Sequence, residues 1–256
     1  MKTAISDSCQ NARFLAAVAP HSGDWLLALP VSSCGLRLSD EAVRVAVALR
    51  LGSSVYVPHT CRCGALVDVQ GTHGLVCKQA LGEIASHQAV NDTVARAISA
   101  AGVPITKEPV GLTRLDGKRP DGPTLIPWQV GKFLTWDVTV ASTLADSCLH
   151  STSRSAGSAA EAASVRKESK YSTLPSDLIF QPIAMETHGP LNASALNFLS
   201  EVGRRLSSVS GDSRETSFSV SATFGYCPAL QLCPHFEFFL YHRRRPGPLA
   251  TSDICF

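Results

Sequence analysis

The run Phe133-Leu134-Thr135-Trp136-Asp137-Val138-Thr139-Val140 constrains the fold of this chain more than any other stretch. Aromatic and β-branched residues suit a pleated, packed strand, and they crowd this segment. Asp137 breaks the pattern, because an unpaired carboxylate is costly to bury. A second acid lies upstream, where Asp121 follows Arg119-Pro120 and precedes Gly122. Pro-Asp-Gly on its own is ordinary turn chemistry. Beside an acid set into the next strand it gains another meaning. Two carboxylates on neighbouring strands hold a hard cation such as Mg²⁺ or Mn²⁺ through oxygen, and such a cation activates water for attack on a phosphodiester.

The rest of the chain supports a soluble mixed α/β protein. It has 256 residues, 45% hydrophobic and 17% charged, enough apolar mass for one large domain with a smaller attachment. The net charge of +2 does not announce a nucleic-acid partner, so local clusters carry that signal. They are Arg114, Lys118 and Arg119; Arg166, Lys167 and Lys170; Arg204 and Arg205; and Arg243 to Arg245. Polar residues follow Met1-Lys2-Thr3 too soon for a signal peptide, and no apolar run reaches membrane-spanning length. The expected setting is therefore nuclear or cytoplasmic rather than secreted or membrane-bound, and no small-molecule cofactor is expected. Nine cysteines, an odd number partly grouped with histidine, point to reduced thiols.

Residues 1–38 show little pattern beyond an apolar piece at Trp25 to Val31. Ser39, then Asp40 and Glu41, then an apolar run closed by Gly52, predict a capped helix. Next, Cys61-Arg62-Cys63 and His73-Gly74-Leu75-Val76-Cys77 have the layout of a zinc knuckle, with Cys61, Cys63, His73 and Cys77 as ligands. His59 is a substitute ligand because the first pair is tightly spaced, and glycines 64, 71 and 74 serve the turns. Inert buried cysteines are the alternative.

Helical spacing of Ile84, Val90, Val94, Ile98 and Ala101 predicts a helix over 82–101. It sets Glu83, His87 and Asn91 on one face, either solvated or turned toward the acids, with Glu83 or His87 as a supporting group. Strands are expected at 103–112, 120–128 and 132–140, a flexible loop at 143–157, a helix at 158–171, a strand at 177–186 and a helix at 192–206. The domains read as 1–80, an N-terminal helical segment with the knuckle; 81–215, an α/β core; and 216–256, an irregular tail. In that tail Cys227, Cys233 and His235 suggest a second metal site less strongly than a disordered or foreign end.

From about His21 to Glu215 the chain resembles the region downstream of the reverse transcriptase in non-long-terminal-repeat retrotransposons that carry a restriction-like endonuclease. The resemblance rests on Pro20 to Trp25, Glu41 to Val45, Cys61 to Ala65, His73 to Cys77 and Asn91-Asp92. It continues through Asp116 to Gly122, Trp136 to Val140, Lys167 to Tyr171 and Gly203-Arg204-Arg205. It implies a restriction-endonuclease-like PD-(D/E)XK core in the order helix, three strands, helix, strand, helix, preceded by a small helix and zinc knuckle. It implies Asp121 and Asp137 as catalytic Mg²⁺ ligands, Zn²⁺ in the knuckle, and DNA as partner, with the element's own RNA as another. The simplest pattern puts a lysine two residues after the second acid, where this chain has Thr139. Lys170 or Lys167 on the next helix then takes that role, and Arg114, Lys118, Arg119 and Arg166 contact nucleic acid. The alternative is a catalytically inactive nucleic-acid-binding remnant of the element's polyprotein, in which the polymerase is expected ahead of this region and a further helix after Glu215.

Overall fold

The computed structural model of the chain describes residues 2–26, 38–77, 81–113 and 116–212, with the side chains of residues 2–7, 81–85 and 110 also outside the description. The expectations for the tail, including Cys227, Cys233 and His235, and for Arg114 lie outside the described residues, as does the side chain of Glu83. The described part is mixed α/β, with six α-helices and two small sheets. No helix among the described residues is long and apolar enough to cross a membrane.

The run that opens the sequence reading forms a nine-residue strand, here β4 (Phe133–Ala141), at the centre of a three-stranded sheet. Its neighbours are β3 (Gly122–Pro123), antiparallel, and β5 (Leu178–Glu186), parallel along its full length from Phe133↔Leu178 to Ala141↔Glu186. A parallel pair needs a crossover, and α4 (Asp146–Thr152) and α5 (Ser158–Lys170) supply it. Alternation along β4 sends Leu134, Trp136 and Val138 into the larger core, which also holds Val90, Val94 and Ile98 of α3 (Leu81–Ala100) and Phe198, Leu199 and Val202 of α6 (Ala193–Ser210). A second, alanine-built cluster of Ala141, Ala184, Ala159, Ala160 and Ala163 seats α5 against β4 and β5. Small side chains let that helix approach the sheet closely, which brings its lysines within reach of β4.

Two helix starts are capped from outside their own segment. Gly157 before α5 has no capping side chain, and the fully buried Glu186 at the end of β5 accepts from Ala159 N–H at 2.9 Å. Burial raises the Glu186 carboxyl above its ordinary range, and the α5 backbone amides hold it back. Glu161 in the first turn of α5 in turn accepts from Ala193 N–H at the start of α6, at 2.6 Å.

The fold departs from the sequence-based expectation in four places. The featureless N-terminal segment contains α1 (Lys2–Val18), whose buried side chains among the described residues, Ala12, Arg13 and Ala16, are small or charged and leave no apolar stripe. The expected loop at 143–157 contains α4, anchored by Thr152 Oγ1 donating to Thr143 O at 2.8 Å. The expected first strand at 103–112 reduces to a bridge between Ile105 and Thr124 and a 3₁₀ turn at Val110–Leu112, because Pro104 and Pro109 lack ladder donors. The expected strand at 120–128 pairs over two residues, after which Thr124 Oγ1 accepts the Leu134 N–H at 3.0 Å. The helix at 39–52 matches its reading: α2 (Asp40–Leu51) is capped by the Ser39 side chain, and Gly52 ends it at φ 68°.

Two candidate metal centres

The first centre grows from the contact between β3 and β4. Asp121 precedes β3, donates its backbone N–H to Trp136 O at 2.9 Å, and accepts the Val138 N–H on Oδ2 at 2.6 Å. These bonds straddle Asp137 and fix the Asp121 carboxylate beside it. Gly122 is required here for space rather than for a left-handed turn. A Cβ at that position would lie 2.4 Å from Trp136 Cζ2 and 2.7 Å from Thr106 O. The Trp136 indole is itself fixed by Nε1 donating to Asn91 Oδ1 at 2.9 Å.

Asn91 lies one turn beyond His87 on α3, so the same helix face delivers both side chains to the sheet. His87 Nε2 stands 3.3 Å from Asp121 Oδ2. The hydrogen bond to Asp121 raises the His87 pKa above its ordinary value; burial opposes this, Asp137 adds to it, and Lys167 subtracts. His87, Asp121 and Asp137 each offer a ligand atom within 4.8 Å of the others. The exposure of their side chains falls from 35% for His87 through 15% for Asp121 to 4% for Asp137, so the imidazole forms the mouth and the carboxylates the floor.

Lys167 of α5 reaches this floor, donating from Nζ to Asp137 Oδ1 at 2.7 Å. Lys170 stands farther off, 3.9 Å from Asp137 Oδ2, donates to Tyr171 Oη at 2.9 Å and lies 4.4 Å from that ring's centroid. Burial lowers the Lys170 pKa, with Asp137 opposing and Lys167 and Lys118 adding to the effect. The structure thus ranks Lys167 ahead of Lys170, because one turn of helix separates a lysine facing β4 from one seated on Tyr171. Thr139, at the position the simplest pattern gives to lysine, has a buried hydroxyl with no hydrogen-bond partner.

The second centre is local. A two-stranded hairpin, β1 (His59–Thr60) and β2 (Leu66–Val67), turns at Gly64 (φ 86°). Gly71 at φ 67° then leads into a 3₁₀ turn over Thr72–Leu75 that carries His73. Gly74 keeps a negative φ, so it is not needed for a turn. Cys61, Cys63, His73 and Cys77 offer ligand atoms within 4.8 Å of one another. Cys61 Sγ and Cys77 Sγ are 3.8 Å apart, and Cys63 Sγ is 3.1 Å from His73 Nε2. A tetrahedral zinc with Zn–S near 2.3 Å has sulfur–sulfur edges of roughly 3.8 Å, so the donor set fits that ion. A backbone hydrogen bond from Ala65 lowers the Cys63 thiol pKa, and the neighbouring Cys61 and Cys77 thiols add to it against burial. His59 does not join the group, and its Nδ1 lies 2.9 Å from Val57 O. Buried Arg13 of α1 ties this module to the rest through Gln70 Oε1 at 3.0 Å and Thr72 Oγ1 at 2.6 Å.

Of the basic candidates, Lys118, Arg119 and Arg166 are exposed. Arg119 pairs with Glu108 and Arg204 with Glu201, while Arg205 stacks 3.6 Å from the centroid of the Trp128 ring. Compared with known proteins, the chain matches no family model and no curated protein.

Proposed function

We propose that the chain is a metal-dependent DNA endonuclease domain of the restriction-like kind carried by non-long-terminal-repeat retrotransposons, acting in the nucleus or cytoplasm. The observation that carries this reading is the meeting of Asp121, just before β3, and Asp137, on the neighbouring β4, with a lysine from α5 on the second acid. The order α3, β3, β4, α4, α5, β5, α6 supports a restriction-endonuclease-like core, with the first of its three strands reduced to the Ile105–Thr124 bridge and one added helix, α4.

Asp121 and Asp137 hold a divalent cation, Mg²⁺ or Mn²⁺, with Val138 N–H and the β3–β4 pairing keeping the Asp121 carboxylate in place. Bound there, such an ion supplies an activated water and charge neutralisation at the phosphate. Lys167 orients the attacking water from Asp137 and offsets negative charge on the phosphoryl oxygens. Lys118, Arg119 and Arg166 contact the DNA backbone, so binding weakens steeply with salt. The Cys61/Cys63/His73/Cys77 module holds Zn²⁺ and presents the knuckle to DNA or to the element's RNA.

A second reading, an inactive nucleic-acid-binding remnant, is favoured by Thr139 and its unpartnered hydroxyl. Nicking of supercoiled plasmid decides between them. The nuclease reading expects nicking that needs Mg²⁺ or Mn²⁺ and disappears in Asp121→Ala and Asp137→Ala. The remnant reading expects plasmid binding with no nicking under any metal.

A further inference from the structure

We infer that His87 is a third protein ligand of the two-acid centre and that its nitrogen turns the site from Mg²⁺ toward Mn²⁺. The inference rests on the nuclease reading's cation at Asp121 and Asp137, and concerns which ion that pair selects.

Three observations carry it. His87 is held by a rigid helix: Val90, Val94 and Ile98 bury the adjoining face of α3 in the core, and Asn91, one turn on, is bonded to the Trp136 indole. The imidazole therefore faces the sheet at a fixed height. Its ligand nitrogen lies within 4.8 Å of a ligand oxygen on each acid, an envelope one ion can span. The charge balance is also unusual. Lys167 already bonds Asp137 and Lys170 stands 3.9 Å from its other oxygen, so two carboxylates face two ammoniums and the pocket carries about no net charge.

Mg²⁺ takes oxygen ligands and sheds water reluctantly, so the two carboxylates suit it and the imidazole nitrogen adds little to its binding. Mn²⁺ binds nitrogen least among the first-row transition metals, but it takes an imidazole beside carboxylates more readily than Mg²⁺ does. An all-oxygen version of the site is one substitution away, in His87→Asp.

The test uses the full chain with zinc in the knuckle and adds Mn²⁺, followed by electron paramagnetic resonance. Spin-echo modulation should show nitrogen bound directly to Mn²⁺ in the parent protein and none in His87→Gln. Competition with Mg²⁺ should show the preference for Mn²⁺ falling about tenfold in His87→Asp as the set becomes all oxygen. Circular dichroism confirms that each variant is folded. Mn²⁺ that binds in an Asp137-dependent way without a nitrogen signal overturns the role of His87 and leaves the two-acid site standing. A nitrogen signal surviving in His87→Gln, or an unchanged preference in His87→Asp, also overturns it. Mn²⁺ binding indifferent to both Asp121→Asn and Asp137→Asn overturns this inference and the two-acid reading together.

Discussion

The two candidate centres differ in how they are built. The Cys/His group is closed by a single stretch from Cys61 to Cys77, on a hairpin and a 3₁₀ turn that leave Cys63 exposed. The two-acid group gathers His87, Asp121, Asp137 and Lys167 from four separate elements around a carboxylate that is nearly fully buried. The first is a module whose geometry follows from local spacing. The second exists only when α3, β3, β4 and α5 have all packed. Damage at β3, β4 or α5 should therefore reach the acids while leaving the Cys/His group assembled.

The largest expected separation comes from the acids themselves. Asp137→Ala should lower plasmid nicking by about a thousandfold or more, equivalent to roughly 4 kcal/mol, while bound zinc stays at the parent level. Nicking that survives would remove Asp137 from the chemistry.

Acid provides the next separation, through His188. This side chain is fully buried, and burial, with Arg50 and Arg13 nearby, lowers its pKa to about 3 from an ordinary 6.5. Between those values the unfolded chain binds a proton that the folded one refuses, so stability falls as pH drops through that window. The loss at pH 4 relative to pH 7 is on the order of 3 kcal/mol. His87 acts in the opposite sense. Its raised pKa adds stability that is fully present below an ordinary histidine's pKa and is lost as pH rises from there through the raised folded value, above the His188 window. Denaturant melts of the parent and His188→Asn at both pH values check this, and an unchanged slope in the variant would rule His188 out as the cause.

A smaller effect tests the dependence of the acids on packing. Gly122→Ala should destabilise the fold by about 2 kcal/mol, because its Cβ collides with Trp136 and the Thr106 carbonyl. Affinity for Mn²⁺ should fall with it while zinc content holds. The smallest effect is expected at His59, whose ring turns to Val57 O. His59→Ala should leave zinc stoichiometry unchanged by atomic absorption, whereas Cys77→Ser should lower it.

The same contrast explains what the sequence could disclose. The four Cys/His residues were legible because a local site is written in spacing, and His59 was separable from them only by its ring orientation. Asp121 and Asp137 were legible because an acid inside an aromatic and β-branched strand demands a partner. The choice between Lys167 and Lys170 was hidden, since it depends on how α5 rotates on its alanine face against Ala141 and Ala184. His87 could be placed on the right face of α3, but its contact with Asp121 depends on the meeting of helix and sheet. The helices α1 and α4 escaped notice because the side chains that anchor them, Ala12, Ala16 and Thr152, are small or polar. Gly122 was read as a turn glycine, and its true constraint lies across the sheet in Trp136.

The central claim is that Asp121 and Asp137 grip one ion together. Calorimetric titration of Mn²⁺ into the zinc-loaded parent, Asp121→Asn, Asp137→Asn and the double variant tests it directly. One site should be lost in either single variant, with nothing further lost in the double. Single variants that each retain the site, or losses that simply add, would contradict it.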